Sequence, residues 1–134
     1  MTKRIVLFDM DGTLTEPRQA FSPKILEPSL LKLSEYANIG IITGSDEDYL
    51  REQMETFLYG SSCRYKTHLL PCNDTKYLKP PTEAAGDFIL TKEVSMENEL
   101  GPEKYKQLLK ELIYSQVDMA NSDVPLSGHF INCR

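Results

Sequence analysis

The sequence predicts an α/β fold built on a parallel sheet. Two short apolar runs, at residues 5–8 and 39–42, show no alternation of apolar and polar residues, which is typical of strands covered on both faces. Each run precedes a segment with helical features, at residues 22–37 and 46–58. The order strand, helix, strand, helix predicts parallel strands joined by right-handed crossovers.

The two helical segments carry different start signals. Before the first, Ser22 can cap the helix and Pro23 can occupy its first position. Pro28 leaves the start open, because the helix can also begin there. Before the second, Ser45 starts a Ser-x-x-Asp capping box that ends at Asp48.

The remaining chain has weaker signals. Residues 67–71 are a candidate third strand, and residues 86–95 are a candidate for one further strand or part of a hairpin. The segment 73–85 contains two prolines and little periodicity, which predicts a loop or linker. A helix is predicted over residues 101–116 from an apolar stripe on one face, and residues 129–134 resemble the beginning of another strand.

Composition excludes several classes of protein. The 134 residues are 40% apolar and 26% charged, with a net charge of −5, which indicates one soluble globular chain without a basic surface for nucleic acid. No apolar run approaches the ~20 residues that span a bilayer, and a signal peptide is poorly supported. The cysteines, Cys63, Cys72 and Cys133, fit neither a disulfide framework nor a zinc site, which indicates an intracellular, reducing compartment. His68 and His129 are isolated in sequence and are expected to be structural or exposed.

Two carboxylates follow the first strand. Asp9 and Asp11 stand where the strand ends, and ligands of open α/β sheets bind at that edge. A divalent cation relieves the repulsion between two carboxylates, and Mg²⁺ prefers such hard oxygen ligands. Asp9 can then attack phosphorus as a nucleophile, and Asp11 can carry a proton. Thr13 and the turn at Gly12 can offer a hydroxyl and backbone N–H groups to phosphate oxygens.

These residues resemble a known signature. Residues 9–15, DMDGTLT, are similar to the D-x-D-G-T-[LV]-T motif of the haloacid dehalogenase superfamily of phosphotransferases. The IITGS stretch resembles the second motif of that superfamily, in which Thr43 would bind the transferring phosphoryl group. Gly44 and Ser45 form the turn into the following helix, where an anion is favoured. An ordinary helix cap is the alternative role of Ser45.

The flanking residues resemble one branch of the superfamily, the eukaryotic-type phosphomannomutases. In that family the first motif is followed by a substrate-binding arginine and a glutamine, and Arg18 and Gln19 stand at the matching offsets. The stretch GIITGSDEDYLREQM resembles the glycine-rich turn and helix of the family. HFINCR resembles a cap segment, in which Arg134 would match an arginine that holds substrate phosphate.

The resemblance implies a Rossmann-like parallel core of the haloacid dehalogenase type with an α/β cap. Residues 1–96 would form the N-terminal part of the core, and residues 97–134 would begin the cap. The family continues beyond Arg134, so the chain is expected to be truncated and to lack the returning core strands.

The resemblance also implies an activity and a site. A Mg²⁺-dependent mutase would interconvert mannose 6-phosphate and mannose 1-phosphate for GDP-mannose synthesis, in the cytoplasm, as a possible homodimer through the cap. Its hexose phosphate substrate would meet catalytic and metal-binding Asp9 and Asp11. The substrate-binding residues would be Arg18, Thr43, Gly44, Ser45 and Arg134.

Two alternatives remain open. One is a Mg²⁺-dependent phosphatase of the same superfamily that acts on small sugar phosphates, because the core motifs do not separate it from a mutase. The other is a non-catalytic fragment, because the residues 1–134 contain no second acidic motif after a buried strand.

Overall fold

The computed structural model describes residues 4–123, which divide into two compact units. The first unit extends to Glu93, and the second begins at Val94. Each unit is described by itself below.

The first unit contains a five-stranded sheet in the order β1-β2-β3-β4-β5. β1, β2 and β3 are parallel, whereas β4 and β5 pair antiparallel. The strands are β1 (Ile5–Asp9), β2 (Asn38–Ile42), β3 (Thr67–Leu70), β4 (Lys76–Lys79) and β5 (Ile89–Glu93). The parallel sheet predicted from the first two apolar runs is confirmed.

The helical segments of this unit lie between the strands. They are α1 (Pro23–Ser34), α2 (Glu47–Gln53), α3 (Glu55–Gly60), a 3₁₀ helix (Ser62–Lys66) and a short turn of helix, α4 (Pro71–Asp74). The core combines apolar side chains of the strands and helices. Its fully buried members include Ile39, Ile41, Leu50, Phe57, Leu58, Leu69 and Leu78.

The sheet is covered unequally on its two faces. Ile5 and Leu7 on β1 have exposed fractions of 48% and 52%, so the expectation that both faces of this strand are buried is wrong for the described residues. Two successive right-handed crossovers that advance in the same direction bring their helices to the same face. The face of Ile39 and Ile41 is therefore the one that is buried.

The helix starts differ in part from the prediction. α1 begins at Pro23 with Pro28 inside it, and Ser22 occupies the cap position without a side-chain cap bond. α2 is capped by Asp46, whose carboxylate accepts the N–H of Tyr49 at 2.8 Å. The predicted capping box from Ser45 to Asp48 is therefore wrong, because the cap lies one residue later.

The segment 73–85 is not entirely a loop. β4 (Lys76–Lys79) lies within it and pairs with both β3 and β5. Lys76–Lys79 are only four residues and precede two prolines, so their sequence has too little periodicity to predict a strand. They form a strand because they pair with both neighbouring strands. The strand predicted within residues 86–95 is observed as β5.

The part of the second unit that the structure describes, up to residue 123, contains the helices α5 (Met96–Leu100) and α6 (Pro102–Ala120). Gly101 joins them with a φ of 78°, a conformation that glycine adopts without a side-chain clash. The helix predicted over residues 101–116 is confirmed and continues to Ala120. Within the described part of the chain, no helix has the length and apolar character required to cross a bilayer. The predicted strand at 129–134 lies outside the described residues.

Candidate active site

The candidate site lies where the parallel strands end. Asp9 on β1 pairs in register with Ile42 on β2, and Ile42 pairs with Leu70 on β3. The residues that follow these three positions therefore emerge at the same edge of the sheet. They are the Asp9–Asp11 segment, the turn at 43–45 and α4 (Pro71–Asp74).

The loop after β1 folds around one carbonyl group. The Met10 carbonyl oxygen accepts the N–H groups of Thr13, Leu14 and Thr15 at 3.2, 2.9 and 3.0 Å. The Gly12 N–H donates to the Thr15 carbonyl at 2.7 Å, with Gly12 at a φ of 81°. The N–H groups of Gly12 and Thr13 donate within the loop. Their binding to phosphate oxygens stays a prediction. Thr13 is exposed.

The two aspartates have different surroundings. Asp9 is exposed, whereas Asp11 is half-buried. One oxygen of Asp11, Oδ1, accepts the backbone N–H of Arg18 at 3.1 Å and the hydroxyl of Tyr49 at 3.3 Å. Arg18 has a φ of 59°, an unusual value for a residue with a side chain. Arg18 is exposed. The chain thus brings Arg18 to Asp11 through the backbone and leaves the guanidinium accessible.

The turn after β2 is held by its own hydroxyl group. Thr43 is buried, and its Oγ1 accepts the N–H of Ser45 at 3.1 Å. Its backbone N–H donates to the Leu70 carbonyl at 3.2 Å, which connects the turn to β3. Gly44 and Ser45 are half-buried. The Thr43–Ser45 turn is consequently a fixed element beside Asp9.

Asn73 is a site residue that the sequence analysis missed. Its N–H donates to the Thr43 carbonyl at 2.9 Å, and the Cys72 N–H donates to the Ser45 carbonyl at 2.8 Å. A Cβ added to Gly44 would lie 3.2 Å from the Asn73 Oδ1, so that side chain borders the turn. The sequence could have indicated Asn73 because this residue follows the third predicted strand, and parallel strands end at a common edge of the sheet.

The α4 turn that carries Asn73 has an unusual backbone. Cys72, Asn73 and Asp74 have φ values of 54°, 54° and 66°. A non-glycine residue in the left-handed region is destabilised by about 1–2 kcal/mol, with asparagine and aspartate the most tolerant. Backbone strain of this kind is concentrated at functional sites in proteins.

Tyr49 is the second missed residue. Burial, and after it the charge of Asp11 and the hydrogen bond to it, raise the pKa of the Tyr49 hydroxyl above its ordinary value. At neutral pH the group is therefore protonated and acts as a donor. Tyr49 occupies the third position of α2, and the sequence carries no local sign that this position faces Asp11.

The carboxylates fit Mg²⁺ in their donor chemistry. Proteins commonly hold this ion through one or two carboxylates together with substrate phosphate and water oxygens. Asp9 and Asp11 supply that number of hard oxygen donors at an accessible edge. Residues 4–123 contain no cluster of three or more His, Cys, Asp or Glu side chains arranged for a metal ion.

The described residues at this edge of the sheet do not include Arg134 or His68. Arg134 lies outside the described residues. His68 lies on β3, where its Nε2 is 3.2 Å from Asn38 Nδ2 and its Nδ1 is 2.8 Å from the Tyr77 hydroxyl oxygen. Burial, followed by the charge of Lys79, lowers the pKa of His68.

Comparisons with known proteins identify similar chains. No family model matches the sequence. It is 32% identical over 131 residues to a phosphomannomutase of Dendrobium officinale, which covers 97% of this chain and 46% of that protein. It is also 32% identical over 133 residues to a phosphomannomutase of Schizosaccharomyces pombe, covering 98% of this chain and 47% of that protein. The chain thus spans about half the length of these curated relatives.

Solved structures show a related fold. The IMP-nucleotidase of Plasmodium falciparum superposes with a TM-score of 0.63 at 12% identity, over 96% of this chain and 34% of that chain. The IMP-bound, N-terminally truncated form gives 0.54 at 18% identity, over 89% of this chain and 34% of that chain. At these identities the likeness concerns the fold alone.

Proposed function

Since this chain is homologous to phosphomannomutases along nearly its whole length and has a fold of the haloacid dehalogenase type, we propose that it carries the phosphoryl-transfer residues of a phosphomannomutase. The observation that supports the proposal is the position of Asp9 and Asp11 at the carboxyl edge of the parallel strands, beside the Thr43 turn. The net reaction would interconvert mannose 6-phosphate and mannose 1-phosphate.

Asp9 is the proposed nucleophile because it is exposed at the end of β1. Its carboxylate oxygen forms a bond to phosphorus of a hexose 1,6-bisphosphate, and the bond from phosphorus to the sugar oxygen breaks. Asp11 donates a proton to that departing oxygen. After the sugar turns over, Asp11 accepts the proton of the other hydroxyl while its oxygen takes the phosphoryl group from Asp9.

Mg²⁺ is the proposed cofactor, held by Asp9 and Asp11. When bound, Mg²⁺ would neutralise part of the negative charge of the phosphoryl group beside the two carboxylates. The Thr43–Ser45 turn would bind the phosphoryl group in transit, with Gly44 allowing close approach. Arg18 and Arg134 would hold the phosphate that is not transferred, because a guanidinium binds phosphate through two hydrogen bonds at once.

The proposal also covers a cap domain, a homodimer, a biosynthetic role and a cellular location. Residues 97–134 would begin an α/β cap, and closure of the cap would exclude water and so favour isomerisation over hydrolysis. A homodimer formed through caps and a role in supplying GDP-mannose belong to the same proposal. Cys63 and Cys72 are free thiols, which agrees with the proposed cytoplasmic location.

The first experiment asks whether Asp9 becomes phosphorylated. The chain is incubated with Mg²⁺ and mannose 1,6-bisphosphate, and a hydroxylamine-sensitive phosphate on the chain is measured. We expect labelling of the wild type and of Asp118→Asn, a matched acidic control on the exposed part of α6. Asp9→Asn should remove the label. Equal labelling of the Asp9→Asn chain would refute the nucleophile.

The second experiment separates a mutase from a phosphatase. Conversion of mannose 1-phosphate to mannose 6-phosphate is measured beside release of inorganic phosphate. Isomerisation faster than release supports the mutase. Release without isomerisation identifies a phosphatase, and the absence of both labelling and turnover identifies a non-catalytic chain.

A further inference from the structure

Tyr49 reaches the candidate proton donor from a distant part of the chain. It lies on α2, and its hydroxyl is 3.3 Å from Oδ1 of Asp11, which precedes it by 38 positions. The ring packs against the hydrophobic core and is half-buried. The contact therefore joins the loop after β1 to the helix after β2.

Asp11 is held from two sides at one oxygen. Besides the Tyr49 hydroxyl, Oδ1 accepts the backbone N–H of Arg18 at 3.1 Å. Among residues 4–123, both hydrogen bonds that the Asp11 side chain accepts fall on Oδ1. Two donors on one oxygen restrict rotation of the carboxyl group.

Tyr49 is itself well anchored. Its backbone N–H donates to the Asp46 cap at 2.8 Å, at the start of α2. Its backbone N–H and its hydroxyl thus donate to two different carboxylates, those of Asp46 and Asp11. A rigid, protonated donor can orient a carboxyl group without exchanging protons with the substrate.

We propose that Tyr49 is a positioning residue that orients Asp11 for proton transfer to and from the sugar oxygen. This inference rests on the proposed function, in which the Asp11 proton moves to the sugar oxygen as the bond from that oxygen to phosphorus breaks. Loss of the Tyr49 hydroxyl lets the carboxyl group rotate, and the proton is then delivered less often in the required direction.

The contact is tested without any turnover. Tyrosinate absorbance is titrated in the wild type and in Tyr49→Phe, and the difference isolates Tyr49. In Asp11→Asn the same difference should show a lower Tyr49 pKa, because the carboxylate charge no longer opposes ionisation. A Tyr49 transition unmoved by Asp11→Asn overturns the inference and leaves the assignment of Asp9 intact.

The role is tested with two phosphoryl donors. Transfer from mannose 1,6-bisphosphate needs a proton on the departing oxygen, whereas 2,4-dinitrophenyl phosphate releases a stable anion that needs none. We expect Tyr49→Phe to lower the ratio of the two kcat values about tenfold, part of the about 10²–10⁴-fold that general acid catalysis contributes. Tyr36→Phe, at a tyrosine 72% exposed after α1, should retain the wild-type ratio.

The outcomes distinguish the two proposals. If Tyr49→Phe lowers kcat equally with both phosphoryl donors, or lowers it with neither, Tyr49 does not act through the proton of Asp11. Either result overturns the inference. A wild type that transfers phosphoryl groups from neither donor contradicts the proposed function, and the tyrosinate titration still decides whether Tyr49 holds Asp11. Thermal denaturation of the Tyr49→Phe chain verifies that it is folded.

Discussion

At the scale of single residues, the loop after β1 depends on two positive φ angles with different consequences. Gly12 adopts a φ of 81° without a side chain, whereas Arg18 adopts 59° with one. The strained Arg18 backbone gives its N–H to Asp11 at 3.1 Å. The hydrogen bond to a carboxylate offsets part of the strain, so the backbone conformation of Arg18 and the orientation of Asp11 are coupled.

Replacement of Gly12 by alanine tests the backbone requirement. A Cβ at Gly12 meets no atom within 4 Å, so the cost is conformational. We expect Gly12→Ala to lower the free energy of unfolding by about 1–2 kcal/mol in urea denaturation. Gly60→Ala is the matched control, because Gly60 also has open space but lies in α3 without a positive φ. Equal effects of the two substitutions would contradict the requirement.

At the scale of helices, α1 and α2 begin in different ways. The Asp46 carboxylate accepts the Tyr49 N–H at 2.8 Å at the start of α2. Ser22 holds the equivalent position of α1 without a side-chain bond, and Pro23 follows it. Proline at the first position has no N–H to satisfy and a preset φ. The second helix therefore depends on its cap more than the first.

A pair of alanine substitutions measures this difference. Asp46→Ala should lower the free energy of unfolding by about 1 kcal/mol, because a cap donor loses its acceptor. Ser22→Ala should lower it much less, since no bond is lost. Urea denaturation of both variants provides the comparison. A larger effect at Ser22 than at Asp46 would show that the observed caps are not the stabilising ones.

At the scale of the whole described molecule, the first unit has a core on one side of its sheet. Leu69 on β3 is fully buried on one face of the sheet. Leu7 on β1 belongs to the other face, opposite Gly40, and is 52% exposed. Apolar burial contributes in proportion to the area removed from water. The two faces of the sheet therefore contribute unequally to stability.

Two leucine substitutions test the asymmetry. Leu69→Ala should destabilise the chain by about 2–5 kcal/mol, because it removes buried methyl groups and leaves a cavity. Leu7→Ala should cost about 1 kcal/mol or less, because its side chain is half in water already. Denaturation curves of the purified variants measure both values. Similar losses would show that the face of Leu7 is covered in solution.

The sequence predicted much of the fold because its signals are local. The apolar runs of β1 and β2 and the stripe of α6 are patterns of neighbouring residues. β4 was missed because Lys76–Lys79 alternates weakly, and only its partners on both sides make it a strand. The cap at Asp46 was missed by one position, since several adjacent polar residues there can serve as caps.

The sequence by itself determined which chemical groups stand at the ends of the first two strands: Asp9, Asp11 and Thr43. Only the tertiary structure decided which sheet face is buried, that Tyr49 contacts Asp11, and that Asn73 borders Gly44. The physical reason is distance along the chain. Strand and helix patterns arise from neighbouring residues, whereas these contacts join residues about 30 or more positions apart and depend on how the parallel strands align.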